Sequence, residues 1–287
     1  MTTEPLAPAG IAPAEGWVST LRWAAADAAV MVGRGIRHLT RDPETLLLSV
    51  ILPINLMLLF VYVFGGAIDT EGDYVDYVVP GIILLCAGYG AAATAVGVAQ
   101  DTTAGVIDRF RSLPISAGAV LTGHVVASVA RNAVSTALVV TVALATGFRP
   151  NATAAEWCAT AAVLLLFVLA MTWLSVALGL LAGSPQAASG FTFFVLFLPY
   201  LSSAFVPTGT MPAPLRAVAD HQPVTPVIET LRGLLMGTPI GTGGWLALAW
   251  FGPVLAGSYL AAKFLFGRRA FTGRADRWSR HTRTMPL

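Results

Sequence analysis

Lysine is almost missing from this chain. Its 287 residues hold 17 basic side chains, and only Lys263 is a lysine. Charged residues make up 11% of the sequence against 56% hydrophobic, and the mean hydropathy is +0.73. A soluble domain carries about a quarter charged residues, so the balance excludes an ordinary water-soluble globule and points to a polytopic membrane protein. The scarcity of lysine also excludes a Walker site. A P-loop places Lys before Ser or Thr in a glycine-rich turn, and Lys263 stands between Ala262 and Phe264. If ATP drives this protein, the ATPase is another polypeptide.

Other absences narrow the classes further. The two cysteines, Cys86 and Cys158, lie in long apolar runs and read as packing residues, with neither a disulfide framework nor a metal site suggested. His38, His124, His221 and His281 are far apart and lack metal-ligand spacing, and no G-x-S-x-G elbow occurs. The acidic stretch Asp69, Glu71, Asp73, Asp76 begins like a calcium loop. Its glycine precedes Asp73, however, and Pro80 stands at position twelve, so a solvated turn is expected. No Asp or Glu lies inside a long apolar run, which leaves a proton-driven carrier without its buried carboxylate. No fixed-period repeat supports an inverted-repeat carrier. A net charge of +2 gives no reason to expect a nucleic-acid partner.

What the chain does have is apolar length. Six runs are long enough to cross a bilayer as helices, at roughly 20 residues each: 45–67, 77–100, 120–148, 157–182, 187–206 and 245–266. The start, "MTTEPLAPAGIAPAEG", has two acids, three prolines and no basic region, so it reads as a flexible cytoplasmic tail and not a signal peptide. With that tail inside, cytoplasmic segments hold thirteen basic residues and external ones hold three, Arg149, Arg216 and Arg232. This asymmetry predicts both termini on the cytoplasmic side of the plasma membrane, and sixteen arginines against one lysine suit a GC-rich bacterial genome. The expected organisation is a tail over 1–16, a six-span transmembrane domain over 17–268 and a basic cytoplasmic tail over 269–287. The basic tail suits contact with lipid headgroups.

Local patterns fill in the connections. Trp17, Leu21, Ala24 and Ala28 share a helical stripe, as do Val32, Ile36 and Leu39, with arginines largely off it. That predicts an N-terminal amphipathic interfacial helix, stopped by Pro43. In the third run His124, Ser128, Arg131 and Ser135 are spaced 4, 3 and 4 apart and form one polar stripe. Arg131 lies about 7–8 Å inside the span at 1.5 Å per residue and reads as a structural or coupling partner of Asp101 or Asp108. In the fifth run Phe193, Phe197 and Tyr200 share a face. Between the last two runs, Pro212, Pro214, Pro223 and Pro226 break the chain into short pieces. "PVIETLRGLLMG" is amphipathic, with Val227, Leu231, Leu234 and Leu235 opposite Glu229 and Arg232, which predicts an external or re-entrant helix.

"DTTAGVIDRFRSLPIS", Asp101 to Ser116, falls between the second and third runs. Asp101, Thr102 and Thr103 are capping residues by type, expected at the N-terminus of a short helix. Val106, Phe110 and Leu113 follow at i, i+4, i+7, with Asp108, Arg109 and Arg111 on the remaining face, and Pro114 ends it. Such a helix either lies on lipid or docks into a soluble partner. Spacing leaves both open.

Residues Asp101 to Arg131, "DTTAGVIDRFRSLPISAGAVLTGHVVASVAR", resemble the signature region of the type-2 ABC-transporter permease family, especially its daunorubicin-exporter branch. "FVPTGTMPAPLRAVADHQPVTPVIETLRGLLMG" is similar to the family's external motif, with Gln222 where Asn is usual, and "LTRDPETLLLSVILPI" looks like the usual entry to the first span. The resemblance implies an all-α membrane protein of six transmembrane helices with an N-terminal interfacial helix, a cytoplasmic coupling helix and an external re-entrant segment. It implies a dimer of permease subunits, two copies of a separate ATP-binding subunit, and no cofactor on this chain, ATP and Mg residing on the partner. By position, the coupling helix is Gly105, Val106, Asp108, Arg109, Phe110, Arg111, Leu113 and Pro114, and the external motif includes Pro207, Pro212, Glu229 and Arg232. The lead-in "DTTAG" has Asp101 as its only acid where the family is glutamate-rich. Expected cargo is a hydrophobic or amphipathic drug-like compound, or alternatively a glycolipid or polysaccharide precursor. Polar and aromatic candidates for its path are Asn55 and Tyr62 on the first run and Phe197 and Tyr200 on the fifth.

Overall fold

A computed structural model describes the backbone of residues 43–68, 72–105 and 117–283, with side chains for most of these. The expected N-terminal interfacial helix and the segment 106–116 lie outside the described residues. Every regular element described is helical: α1 Pro43–Leu59, α2 Tyr74–Thr103, α3 Ala117–Ala145, α4 Ala154–Leu181, α5 Pro185–Phe197, α6 Ala213–His221, α7 Val224–Met236 and α8 Gly243–Arg283. A π-helical turn, Phe60–Phe64, continues α1, and a 3₁₀ turn, Leu198–Leu201, continues α5.

Four of these helices are long and apolar enough to cross a membrane: Tyr74–Thr103, Leu121–Ala145, Ala154–Leu181 and Gly243–Arg268. The first and fifth expected runs differ. From α1, the stretch Val50–Phe64 is apolar but shorter. α5 has 13 residues, about 20 Å of helix against a hydrocarbon core of about 30 Å. It stops at Phe197 because Pro199 has no N–H to continue the ladder. The run predicted to reach Val206 therefore ends in a 3₁₀ turn followed by a tight, buried bend over Ser202–Phe205.

α2 is the centre of the molecule. In its most apolar window 78% of residues are buried, against 28%, 44% and 22% for the other three long helices. It packs against α1, α3, α4, α5 and α7, while α8 lies on the far side of α4 and against α7. Its sequence explains the position. Gly81, Gly88, Gly90 and a run of alanines leave little side chain between backbones, which is how helices approach closely where lipid gives no hydrophobic drive. A Cβ on Gly81 would lie 2.7 Å from the Cβ of Ala204, and one on Gly179 of α4 would lie 2.5 Å from the Ala95 carbonyl. The two halves of α2 differ. Near Tyr74 the core contains Ile82, Ile83, Leu84, Leu85, Phe148, Ile228, Leu231 and Leu235. Near Thr103 the alanines Ala95 and Ala99 meet Ala182 and Ala188 on one side, while Val98 packs with Leu121, Val125 and Leu180 on another.

Helix ends follow local chemistry. Thr153 accepts from the Glu156 amide while the Glu156 carboxylate takes the Thr153 amide, a complete capping box at the start of α4. Pro212 and Pro223 stand at the N-caps of α6 and α7, so the expected breakage by proline becomes two helix starts. Gly237 ends α7 at φ +70. α8 is 41 residues long and continues as helix to Arg283.

Candidate functional site

The residues with the most binding contacts gather at the two ends of α2. At the Tyr74 end, α7 lays Val227, Leu231, Leu234 and Leu235 into the core, as its periodicity predicts. Glu229 stays exposed, but Arg232 turns inward. Its guanidinium donates to the Tyr77 carbonyl at 3.1–3.2 Å, to the Ser203 carbonyl at 2.8 Å and to Glu229 at 2.9 Å, and lies 3.8 Å over the Tyr77 ring. The planar fork suits these divergent acceptors in a way an ammonium does not. Tyr77 Oη donates to the same Ser203 carbonyl at 2.9 Å and Tyr74 Oη to the Phe205 carbonyl at 2.7 Å. Backbone amides add Arg149 to Asp76 at 3.2 Å and Asn151 to the Leu235 carbonyl at 2.9 Å. Gln222 donates to the Leu201 carbonyl at 3.1 Å, fastening α6 to the turn after α5. Pro207 accepts from the Thr210 hydroxyl at 2.8 Å. Thus Glu229 and Arg232 form a pair, Pro212 starts α6, and Pro207 anchors a separate turn.

Across the middle, the polar stripe of α3 faces protein. Ser128, Asn132 and Ser135 are buried, Ser128 Oγ lies 3.3 Å from Thr172 Oγ1 of α4, and Asn132 Nδ2 donates to the Ser128 carbonyl at 3.0 Å. Gly90 leaves the notch that holds the Asn132 amide. Arg131 is half-buried.

At the other end α2 runs on through Thr103, which corrects the expectation for Asp101–Thr103. These residues form its last turn and do not cap a new helix. Thr102 Oγ1 donates back to the Val98 carbonyl at 2.6 Å and Thr103 Oγ1 to the Ala99 carbonyl at 3.0 Å. Back-bonding of this kind satisfies threonine within a helix, so capping type alone misleads here. Gly105, at φ +70, then turns the chain out of the helix. Asp101 Oδ2 lies 3.1 Å from His124 Nε2, an ion-pair approach without in-line hydrogen-bond geometry. Val106, Asp108, Arg109, Phe110, Arg111, Leu113 and Pro114 lie outside the described residues.

Of the residues considered for a cargo path, Phe197 and Tyr200 come together, with ring centroids 6.1 Å apart. They belong to a longer row that sequence spacing shows only in part. Phe193 stacks on Phe197 at 6.4 Å, Tyr200 on Phe205 at 5.5 Å, Phe205 on Phe60 at 4.4 Å, and Phe60 lies 5.5 Å from Phe64. Six rings thus join α5 to the π turn after α1, and π turns recur at functional sites. Asn55 and Tyr62 are exposed on α1 and that turn, and Phe193 and Phe197 are exposed on α5.

A family model for the ABC-2 type transporter matches residues 27–236. The chain belongs to the ABC-2 type transporter family. It is 31% identical over 249 residues to the daunorubicin resistance ABC transporter permease protein DrrB1 of Streptomyces coeruleorubidus, covering 83% of this chain and 88% of that protein. It is 23% identical over 216 residues to a probable doxorubicin resistance ABC transporter permease protein, DrrC, of Mycobacterium tuberculosis, covering 74% and 77% respectively. An ABC-2 membrane subunit with several apolar helices and an ATP-binding partner is therefore the frame for reading both ends of α2.

Proposed function

We propose that this chain is the permease subunit of an ATP-driven exporter that moves a hydrophobic or amphipathic drug-like compound out of a bacterial cell. The observation that carries the reading is the 31% identity to a daunorubicin resistance permease along 83% of the chain. The lone lysine fits it, because a chain with no P-loop needs a separate ATP-binding subunit. In this reading six spans are built from α1 with its π turn, α2, α3, α4, α5 with its 3₁₀ turn, and α8. Both termini are cytoplasmic, and 1–16 and 269–287 flank the transmembrane domain. The Thr103 end of α2 then faces the cytoplasm, and α6 and α7 form the external, partly re-entrant segment. Two permease chains pair, and two ATP-binding subunits hold ATP and Mg.

Segment 106–116 is the coupling element. Val106, Phe110 and Leu113 enter a groove on the ATP-binding subunit, with Asp108, Arg109 and Arg111 around them. Closure of the ATP-binding subunits pushes on this segment, and α2 and α3 carry the displacement into the spans. Cargo moves along a face formed by Asn55, Tyr62 and the aromatic row through Phe197 and Tyr200. Flat apolar rings offer such cargo stacking surface without demanding hydrogen bonds.

The test is daunorubicin-stimulated ATPase activity of the reconstituted complex, with Phe110→Ala and Arg111→Glu introduced separately. Each is expected to lower stimulation about tenfold, the effect of losing about 1.4 kcal/mol of coupling free energy. Full stimulation in both variants rejects the coupling role.

A further inference from the structure

We infer that Phe60 and Phe205 are the specificity-determining pair of the cargo face, two stacked rings that part by the thickness of one flat ring and so favour planar cargo over splayed cargo. This rests on the export role proposed above and names the shape of molecule that role serves.

The row of six rings is uneven. Phe193 and Phe197 are 68% and 49% exposed at one end and Phe64 is 42% exposed at the other, whereas Phe205, between them, is 5% exposed. A molecule following the rings therefore meets a closed surface at Phe205. Phe60 lies over it there at 4.4 Å with 23° between the ring planes, the shortest separation in the row. α1 with its π turn and α5 with its 3₁₀ turn both pack on α2. The stack bridges from the first to the bend that follows the second.

The two rings are mounted differently. Phe205 is seated: its carbonyl accepts from Tyr74 Oη at 2.7 Å, and Tyr200 also stacks on its ring. The preceding residue, Ala204, is fully buried and meets the close approach at Gly81. Phe60 instead opens the π turn Phe60–Phe64, in which no residue is buried. A π turn holds one residue more than an α-helical turn. Passing that surplus along the helix rotates a side chain by about 100° and shifts it about 1.5 Å. One ring is thus fixed, and the other rides on an element that changes register readily.

Such a pair discriminates by shape. Parted by one ring's thickness, about 3.5–4 Å between carbon surfaces, Phe60 and Phe205 still contact whatever lies between them on both faces. A flat fused-ring cargo therefore replaces one stacking contact with two of the same kind. A cargo whose rings splay in three dimensions forces the pair further apart and loses contact with one or both. Gly65, next to the π turn, comes within 3.4 Å of the Tyr74 ring as a Cβ would be placed, so the pair lies at the Tyr74 end of α2. In the orientation proposed above, that is the exit side.

The experiment uses this chain with its ATP-binding subunit in proteoliposomes and reads ATP-driven transport of two probes. Daunorubicin is a cation with a largely flat fused-ring system, and tetraphenylphosphonium is a cation with four rings splayed about one phosphorus. Wild type is expected to favour daunorubicin about tenfold or more in kcat/KM. Phe60→Ala removes the movable ring and lowers that ratio about fivefold, chiefly through faster tetraphenylphosphonium transport, which a merely structural role would not produce. Phe60→Tyr keeps the flat face and about half or more of the discrimination. Should Phe60→Ala misassemble, Phe60→Leu carries the same comparison with most of the volume kept. A wild type that moves both probes equally, or a ratio unchanged in the alanine and leucine variants, overturns the inference. A second measurement holds the pair shut. In a Cys158→Ser background, which removes the exposed free cysteine, Phe60→Cys with Phe205→Cys is bridged by a short bis-methanethiosulfonate. Bridging is expected to stop daunorubicin transport and dithiothreitol to restore it, and undiminished transport through the bridged pair also overturns the inference. If wild type moves neither probe, the export reading itself falls. If it moves daunorubicin and the variants keep its selectivity, only the pair falls.

Discussion

The two ends of α2 are built to opposite plans. At the Tyr74 end one arginine and two tyrosines bind carbonyls on the bend after α5 and on α2 itself, and the core beside them contains Phe148, Ile228, Leu231 and Leu235. At the Thr103 end, among the described residues, Ala95 and Ala99 pack against Ala182 and Ala188, Val98 packs with Leu121, Val125 and Leu180, and Asp101 meets His124. In the function proposed above, the Tyr74 end is the fixed point and the Thr103 end, which leads into 106–116, receives the input. A lever needs both, and in this chain one helix supplies them.

Breaking the fixed point has the largest expected effect. Arg232→Ala leaves the Tyr77 and Ser203 carbonyls without their charged donor and Glu229 without its partner, at a cost of about 3 kcal/mol. The measurement is unfolding of the purified chain by titrated denaturing detergent. Arg232→Lys recovers only part of the loss, since an ammonium cannot reach all three acceptors and stack on Tyr77. Next comes Gly81→Ala. Its methyl meets the Cα, Cβ and carbonyl of Ala204 at 2.7–2.8 Å, so backbone must shift, at about 2 kcal/mol by the same titration. Tyr77→Phe keeps the ring beneath Arg232 and removes the hydroxyl that donates to Ser203, an expected loss of about 1 kcal/mol. If Tyr77→Phe costs as much as Arg232→Ala, the hydroxyl and not the guanidinium is the fixed point.

How much of this was legible in the sequence varies by element. The long apolar runs that became α2, α3, α4 and α8 were, because hydropathy over 20 residues survives any tertiary detail. So was the buried face of α7, whose 3.6-residue period is strict from Val227 to Leu235. The end of α5 was misjudged because apolar composition continues past Pro199 while the helix does not. Asp101–Thr103 were assigned to the wrong helix, since threonine caps a helix start and back-bonds near its end with equal ease. Arg232 was placed on the solvent side by its charge, and nothing local shows that the carbonyls of Tyr77 and Ser203 await it. Those contacts span separations of 155 and 29 residues, beyond any periodicity. The capping box Thr153–Glu156 was within reach of the T-x-x-E pattern and supplies the start of α4.

The smallest stability effect is expected at the receiving end, and there it separates stability from transmission. Gly105 holds φ +70, a conformation that costs an L-residue about 1–2 kcal/mol, with open space where a Cβ would go. Among the described residues Gly105→Ala clashes with nothing, so the expected cost is backbone strain, roughly 1 kcal/mol in the detergent titration. Strain at this turn can be relieved by letting the chain leave α2 in a different direction, which moves 106–116 relative to the helix but leaves the Tyr74 end untouched. The expected result is a permease nearly as stable as wild type whose daunorubicin-stimulated ATPase ratio falls about threefold, whereas Tyr77→Phe, at similar cost in stability, leaves that ratio close to wild type. If the two variants lower the ratio equally, the ends of α2 are not specialised and the lever description fails.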